Sequence, residues 1–216
     1  MSALTYSERP AAGAPDGLLV LHHGRGADEH DLLPLADVLD PQRRLHVVTP
    51  RAPLTLPGSG GFHWYVVARV GYPDPQSFAA GCDELAGFHD ELWQRTGIAP
   101  ERTVLGGFSQ GSVMSYALGL DARRPVPAGV LAFSGFVPLV ADREPDLAGR
   151  SGLRVFIAHG RADPVIEVDF GRRARAQLAD GGLDVDYHET DGGHQIEAVN
   201  AIAAADWLTG TLAQQA

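Results

Sequence analysis

Gly107-Phe108-Ser109-Gln110-Gly111 is the stretch on which the reading of this chain turns. It fits Gly-x-Ser-x-Gly, and its flanks give the match meaning. Arg102-Thr103-Val104-Leu105-Gly106 before it reads as a short buried strand, and Ser112-Val113-Met114-Ser115-Tyr116-Ala117-Leu118 after it as the opening of a helix. A serine on a sharp strand-to-helix turn has its hydroxyl pushed clear of the sheet, facing the positive end of the helix. The glycines let the turn close without side-chain clashes. The string alone is weak evidence, since small residues often pack at such turns. The strand–turn–helix context makes Ser109 a candidate nucleophile.

Two partners follow in the order that such a nucleophile needs. Val155-Phe156-Ile157-Ala158-His159-Gly160 is another apolar run, and Asp163 stands in the loop that leaves it. Val185-Asp186-Tyr187-His188-Glu189-Thr190 alternates like a strand and leads through Asp191-Gly192-Gly193 to His194, just before a helical stretch near Ile196. Ser109, Asp163, His194 is the serine–acid–histidine chain order of α/β-hydrolases, distinct from the orders in chymotrypsin and subtilisin. Each member sits at a strand end, where an open parallel sheet collects its active site. Asp191 and Asp186 are alternative acids, but Asp163 is preferred because it leaves a strand.

A fourth element lies near the start. Leu18-Leu19-Val20-Leu21-His22 is a buried-strand pattern followed by His23-Gly24-Arg25-Gly26. Glycines here let backbone approach a substrate closely, so the backbone N–H of Arg25 and that of Gln110 are the candidate oxyanion donors. The bland alternative is an ordinary strand-to-helix turn.

Taken together, His23-Gly24-x-Gly26, Gly107-Phe108-Ser109-Gln110-Gly111, Ser134-Gly135, Gly160-x-x-Asp163-Pro164-Val165 and Gly193-His194 resemble the phospholipase/carboxylesterase family of small serine hydrolases. That family includes bacterial carboxylesterases and acyl-protein thioesterases. The resemblance runs from about Leu18 to Leu208. It implies an α/β-hydrolase fold, the triad above, and hydrolysis of small-molecule esters or thioesters without a cofactor. One departure stands out: members often carry an acidic residue two places after a tryptophan in the long loop, where Trp64-Tyr65-Val66 has valine. Two other readings compete. One is a dienelactone-hydrolase-like enzyme, whose members use cysteine where Ser109 stands. The other is a non-catalytic small-ligand-binding module on the same scaffold, which would usually have lost a triad member or an oxyanion glycine.

Composition agrees with one α/β domain over 1–216, in which 1–16 is an irregular or short-strand N-terminal extension. At 216 residues, with 44% hydrophobic and 20% charged, the chain is able to bury a sizeable core. The formal net charge of −10 argues against nucleic acid or an anionic membrane surface as main partner. No apolar run approaches the roughly 20 residues that span a bilayer, and the first residues lack a continuous apolar signal region. A cytoplasmic location is expected, and nothing indicates a homodimer. With Cys82 as its one cysteine the chain forms no internal disulfide, and with no lysine it is excluded from Schiff-base, Ser–Lys and P-loop chemistry.

Strands are expected at Leu18–His22, Leu45–Thr49, Thr103–Phe108, Ala128–Phe133, Arg154–His159 and Asp184–Glu189. Helices are expected near Asp31–Leu39, Ser77–Arg95, Ser109–Leu120, Glu167–Leu178 and Ile196–Leu212. This alternation calls for a mainly parallel sheet with helices on both faces and no large lid. Pro50–Pro75 and Phe136–Leu153 read as irregular. Their aromatics Trp64 and Phe136 are candidate walls of an acyl pocket, with loop anchoring as the alternative for Trp64; Tyr65 reads as an anchor. No metal site is expected: His22 and His23 with His30 and Asp28 are possible ligands, but adjacent strand residues point to opposite faces. His159 and Cys82 read as structural core groups.

Overall fold

The computed structural model describes residues 4–58 and 60–214. The strands are β1 (Tyr6–Arg9), β2 (Gly17–His22), β3 (Leu45–Pro50), β4 (Leu54–Thr55), β5 (Phe62–His63), β6 (Val67–Arg69), β7 (Tyr72–Pro73), β8 (Thr103–Phe108), β9 (Gly129–Phe133), β10 (Arg154–Gly160) and β11 (Asp184–Thr190). The helices are α1 (Leu35–Leu39), α2 (Pro75–Thr96), α3 (Gln110–Gly119), α4 (Val168–Asp180) and α5 (Ala198–Ala213). Seven strands form the central sheet in the order β1-β3-β2-β8-β9-β10-β11. Six of them run parallel, and β1 pairs antiparallel with β3 at the edge, Tyr6 facing Pro50.

The sheet's interior strands read as unbroken apolar runs because both their faces are covered. Leu18, Val20 and Leu105 pack under Phe78, Cys82 and Leu85 of α2 and Val113, Met114 and Leu118 of α3. Val130, Val155 and Ile157 meet Ala174 and Leu178 of α4. The opposite parity, Leu19, Leu21, Val104, Leu131 and Phe156, packs on Ala36 and Leu39 of α1 and Ala204, Trp207 and Leu208 of α5. Alternate residues of each strand therefore anchor two different helix layers. Helix α3 is buried nearly all round, between sheet and α2, which fixes the end that begins at Gln110.

Local chemistry sets the boundaries. Asp74 caps α2, its carboxylate accepting from Ser77 N–H at 2.9 Å, with Pro75 in the first turn. Gly97 ends the helix in a left-handed conformation, φ 67°. Helix α1 is shorter than expected: residues 31–34 form turns, and Pro34, which has no N–H to give, precedes the first helical residue. Helix α5 begins at Ala198 rather than near Ile196.

The segment expected to be irregular over 50–75 holds two small hairpins, β4–β5 and β6–β7. The second irregular segment, 136–153, remains turns and a single 3-10 turn at Ala148–Arg150. Within the N-terminal extension, residues 1–3 lie outside the described residues and 6–9 form β1. That strand is held by Arg9, buried, whose guanidinium donates to Asp40 Oδ2 at 2.7 Å, to Asp40 O at 3.1 Å and to Asp37 Oδ1 at 3.0 Å. Among the described residues no helix is long and apolar enough to cross a membrane.

Candidate active site

Strand β8 ends in a sharp turn whose corner is Ser109, with φ 54° and ψ −120°. A non-glycine residue at positive φ is strained, at a cost of order 1–3 kcal/mol, and persists only where its surroundings hold it. Two glycines make the turn possible. A Cβ on Gly111 would lie 1.9 Å from His22 O, and one on Gly107 2.5 Å from the Gly111 carbonyl carbon. The Ser109 N–H is tied to Phe133 O on β9 at 2.9 Å, so the corner is pinned to the neighbouring strand.

Three strand ends converge on that corner. His194 Nε2 is 2.9 Å from Ser109 Oγ, and His194 Nδ1 is 2.7 Å from Asp163 Oδ2. Because Nδ1–H donates to the carboxylate, Nε2 is bare and accepts the serine hydroxyl proton. Asp163 is held in turn: its Oδ1 accepts from Val165 N–H and Ile166 N–H, both at 2.8 Å, and its side chain is fully buried. His194 retains 16% side-chain exposure, with the Phe108 ring 4.8 Å away. The alternative acids are engaged elsewhere. Asp191 is 93% exposed and pairs with Arg161 at 2.5 Å, and Asp186 stands beside His188 on β11.

The loop after β2 forms the facing wall. Gly26 N–H donates to Phe62 O at 2.7 Å and Phe62 N–H to Ala27 O at 2.9 Å, so β5 clamps this turn. Gly24 lies against Phe108 and Ser109, where a Cβ would be 3.5 Å from the serine Cβ. Among the described residues neither the Arg25 nor the Gln110 backbone N–H has a protein acceptor. Gln110 is in the first turn of α3, where amides lack intrahelical partners. Its side chain performs a role absent from the sequence reading: Oε1 accepts from Trp64 N–H at 2.7 Å and Nε2 donates to Tyr65 O at 2.9 Å. The residue after the corner thus fastens the loop over it.

Of the two candidate pocket aromatics, only one reaches the cavity beside Ser109. Trp64 is completely buried, its indole N–H donating to His23 O at 2.9 Å, so it anchors its loop. The wall is formed by the next residue, Tyr65, together with Phe136, Val67, Val70, Val165 and Ile166 around about 260 Å³. Tyr65 is also an anchor, packed edge-on against Phe78 at 5.2 Å. Arg25 and Arg69 stand on the same cavity. Alternation on β6 and the Val165-Ile166 pair after Pro164 were the available signals for this lining.

The histidine-rich strand end has partners of its own. His23 sits between Gly24 O at 2.7 Å and Ala52 N–H at 3.0 Å, and burial holds its pKa down. His22 lies between Ser115 Oγ at 2.8 Å and His89 Nε2 at 3.2 Å. His30 is beside Ser7 and Glu29. His159 donates from Nε2 to Ile166 O at 2.7 Å, steadying the Asp163 loop, and burial lowers its pKa. Among the described residues no cluster of three or more His, Cys, Asp or Glu is placed to hold a metal ion.

Known proteins share this arrangement of chain. The phospholipase/carboxylesterase family matches residues 9–211. Putative hydrolase MhqD of Bacillus subtilis is 30% identical, the alignment spanning 90% of this chain and 94% of MhqD. Acyl-protein thioesterase 1 of Mycosarcoma maydis is 33% identical over 87% of this chain and 88% of its own. The crystal structure of esterase PE8 superposes with TM-score 0.83 at 30% identity, covering 96% of this chain and 99% of the esterase. The Bacillus cereus carboxylesterase shares the fold, with TM-score 0.84 at 23% identity over 97% of this chain and 95% of its own. The chain therefore belongs to the phospholipase/carboxylesterase family, and is a hydrolase built on the α/β-hydrolase fold.

Proposed function

We propose that the enzyme cleaves small-molecule carboxylic esters or thioesters through an acyl-enzyme on Ser109. The observation that carries this reading is the unbroken hydrogen-bonded line from Ser109 Oγ through His194 to Asp163, at 2.9 and 2.7 Å. Ser109 Oγ attacks the acyl carbonyl as His194 Nε2 takes its proton. The Arg25 and Gln110 amides donate to the oxyanion, a contribution worth about 3–4 kcal/mol of barrier for each donor. Asp163 fixes the imidazole tautomer and stabilises the imidazolium. His194 then returns the proton to the leaving alcohol or thiol. A water molecule, deprotonated by the same nitrogen, releases the carboxylic acid.

Side chains, water and substrate account for every proton and electron pair in this scheme, so it calls on no metal or organic cofactor. The cavity floor of Val67, Val70, Phe136 and Ile166 suits an apolar acyl arm of modest length. The reading takes the chain as one domain acting in the cytoplasm, which cell fractionation would check. The kinetic test is a pre-steady-state burst of 4-nitrophenol from a 4-nitrophenyl ester, equal to one equivalent per enzyme. A Ser109→Ala protein that still turns over the ester at the wild-type rate refutes it.

A further inference from the structure

The cavity beside Ser109 is apolar in its depth, yet its mouth carries Arg25 and Arg69 and its lining includes no Asp or Glu. Among the described residues neither guanidinium has a carboxylate or carbonyl partner. Most other arginines in the chain do: Arg9, Arg51, Arg124, Arg161 and Arg172, for example, are ion-paired. The Arg69 guanidinium is nevertheless held in place, 3.7 Å over the Tyr72 ring. With a formal net charge of −10, the molecule as a whole repels anions. The mouth thus sets two cations on the lining of a cavity in a molecule of net negative charge.

Resting on the serine-hydrolase reading above, we propose that Arg25 and Arg69 select esters or thioesters carrying an anionic group, carboxylate or phosphate, a few bonds from the scissile carbonyl. An uncharged arm would fill the Val67–Phe136 floor equally well but leave both cations unpaired. Two fork-shaped donors without competing acceptors suit bidentate capture of a planar carboxylate or a phosphate.

The test compares matched esters, each rate divided by its hydroxide-catalysed rate. For the acyl arm the pair is the mono-4-nitrophenyl ester of adipic acid against 4-nitrophenyl hexanoate. For the leaving arm it is 3-acetoxybenzoate against phenyl acetate. The readout is the anionic-to-neutral ratio of kcat/KM within each protein, so any loss common to both esters cancels. In the wild type at low salt one arm should favour the anion by about two- to fivefold, the scale of an exposed ion pair, and the preference should shrink in 0.5 M NaCl. Arg69→Gln should bring the ratio close to one, Arg25→Gln should reduce it, and Arg69→Lys should retain most of it. A wild-type ratio at or below one on both arms, with neutral esters turned over, overturns the anion preference alone. A ratio unaltered in both Gln variants also overturns it. No turnover of any ester overturns the hydrolase mechanism beneath it.

Discussion

Acidification should unfold this enzyme earlier than its carboxylates alone would require, because histidines are buried neutral beneath the candidate active site. His22 and His89 are fully enclosed and face one another across 3.2 Å. The hydrogen-bond chain fixes their tautomers. Ser115 Oγ donates to Gly111 O at 3.0 Å, so it accepts from His22 Nδ1–H, which leaves His22 Nε2 to accept from His89 Nε2–H. A proton on His22 would set two N–H groups against each other in the core.

Burial accordingly lowers the His22 pKa well below its ordinary value and brings that of His89 down to about 3. A folded pKa below the unfolded one means the unfolded chain binds more protons, so stability falls as pH falls through about 6.5. Between pH 7.5 and 5.5 each such histidine costs about 1.4 kcal/mol, so this pair costs about 3 kcal/mol. His23 and His159, also lowered by burial, act in the same direction. The cost of the pair alone is a substantial part of an ordinary domain stability of about 5–15 kcal/mol. Urea unfolding followed by tryptophan fluorescence at several pH values in this window measures the slope directly. His89→Gln, which keeps an N–H donor for His22, should reduce the loss by about 1.4 kcal/mol. A stability independent of pH from 7.5 to 5.5, or an unchanged slope in His89→Gln, would refute the reasoning.

Other expectations concern single contacts. Asp40→Ala removes the buried carboxylate from Arg9, leaving only the exposed Asp37 beside it, and the acceptor of the Arg44 and Leu45 N–H groups, and should cost about 3 kcal/mol in urea unfolding. Gly111→Ala forces a methyl group against His22 O, moves the Ser109 corner, and should lower kcat/KM by at least about 100-fold. Asp163→Asn should lower kcat by about 10³–10⁴ while the melting temperature confirms a folded protein, and Asp191→Asn should do far less. Abolished turnover in Asp191→Asn with Asp163→Asn tolerated would reassign the acid.

What the sequence made legible follows the strength of its local signals. The interior parallel strands are apolar runs covered on both faces, the edge strand β11 alternates, and the expected boundaries of all six lie within one residue of those observed. The convergence of Ser109, Asp163 and His194 was legible because each leaves a strand at the same sheet edge. The edge strand β1, Tyr-Ser-Glu-Arg, carries little pattern because only Arg9 of its four residues is buried. Its retention depends on Arg9 reaching Asp40, 31 positions away, which no local period encodes. Trp64 and Tyr65 could not be sorted from their spacing. Gln110 fastens the backbone of both, and the Trp64 indole is drawn inward to His23 O, 41 positions away, which leaves Tyr65 on the cavity. Arg69 was equally silent, being one exposed cation on a three-residue strand.

Covalent capture bears most directly on the central claim. The enzyme is incubated with a fluorophosphonate at neutral pH, digested, and the adduct located by tandem mass spectrometry. One equivalent of label on Ser109 is expected, with loss of esterase activity in step with labelling, and Ser109→Ala should be unlabelled and inactive. Labelling at another serine, or undiminished activity with Ser109 fully modified, would contradict the account.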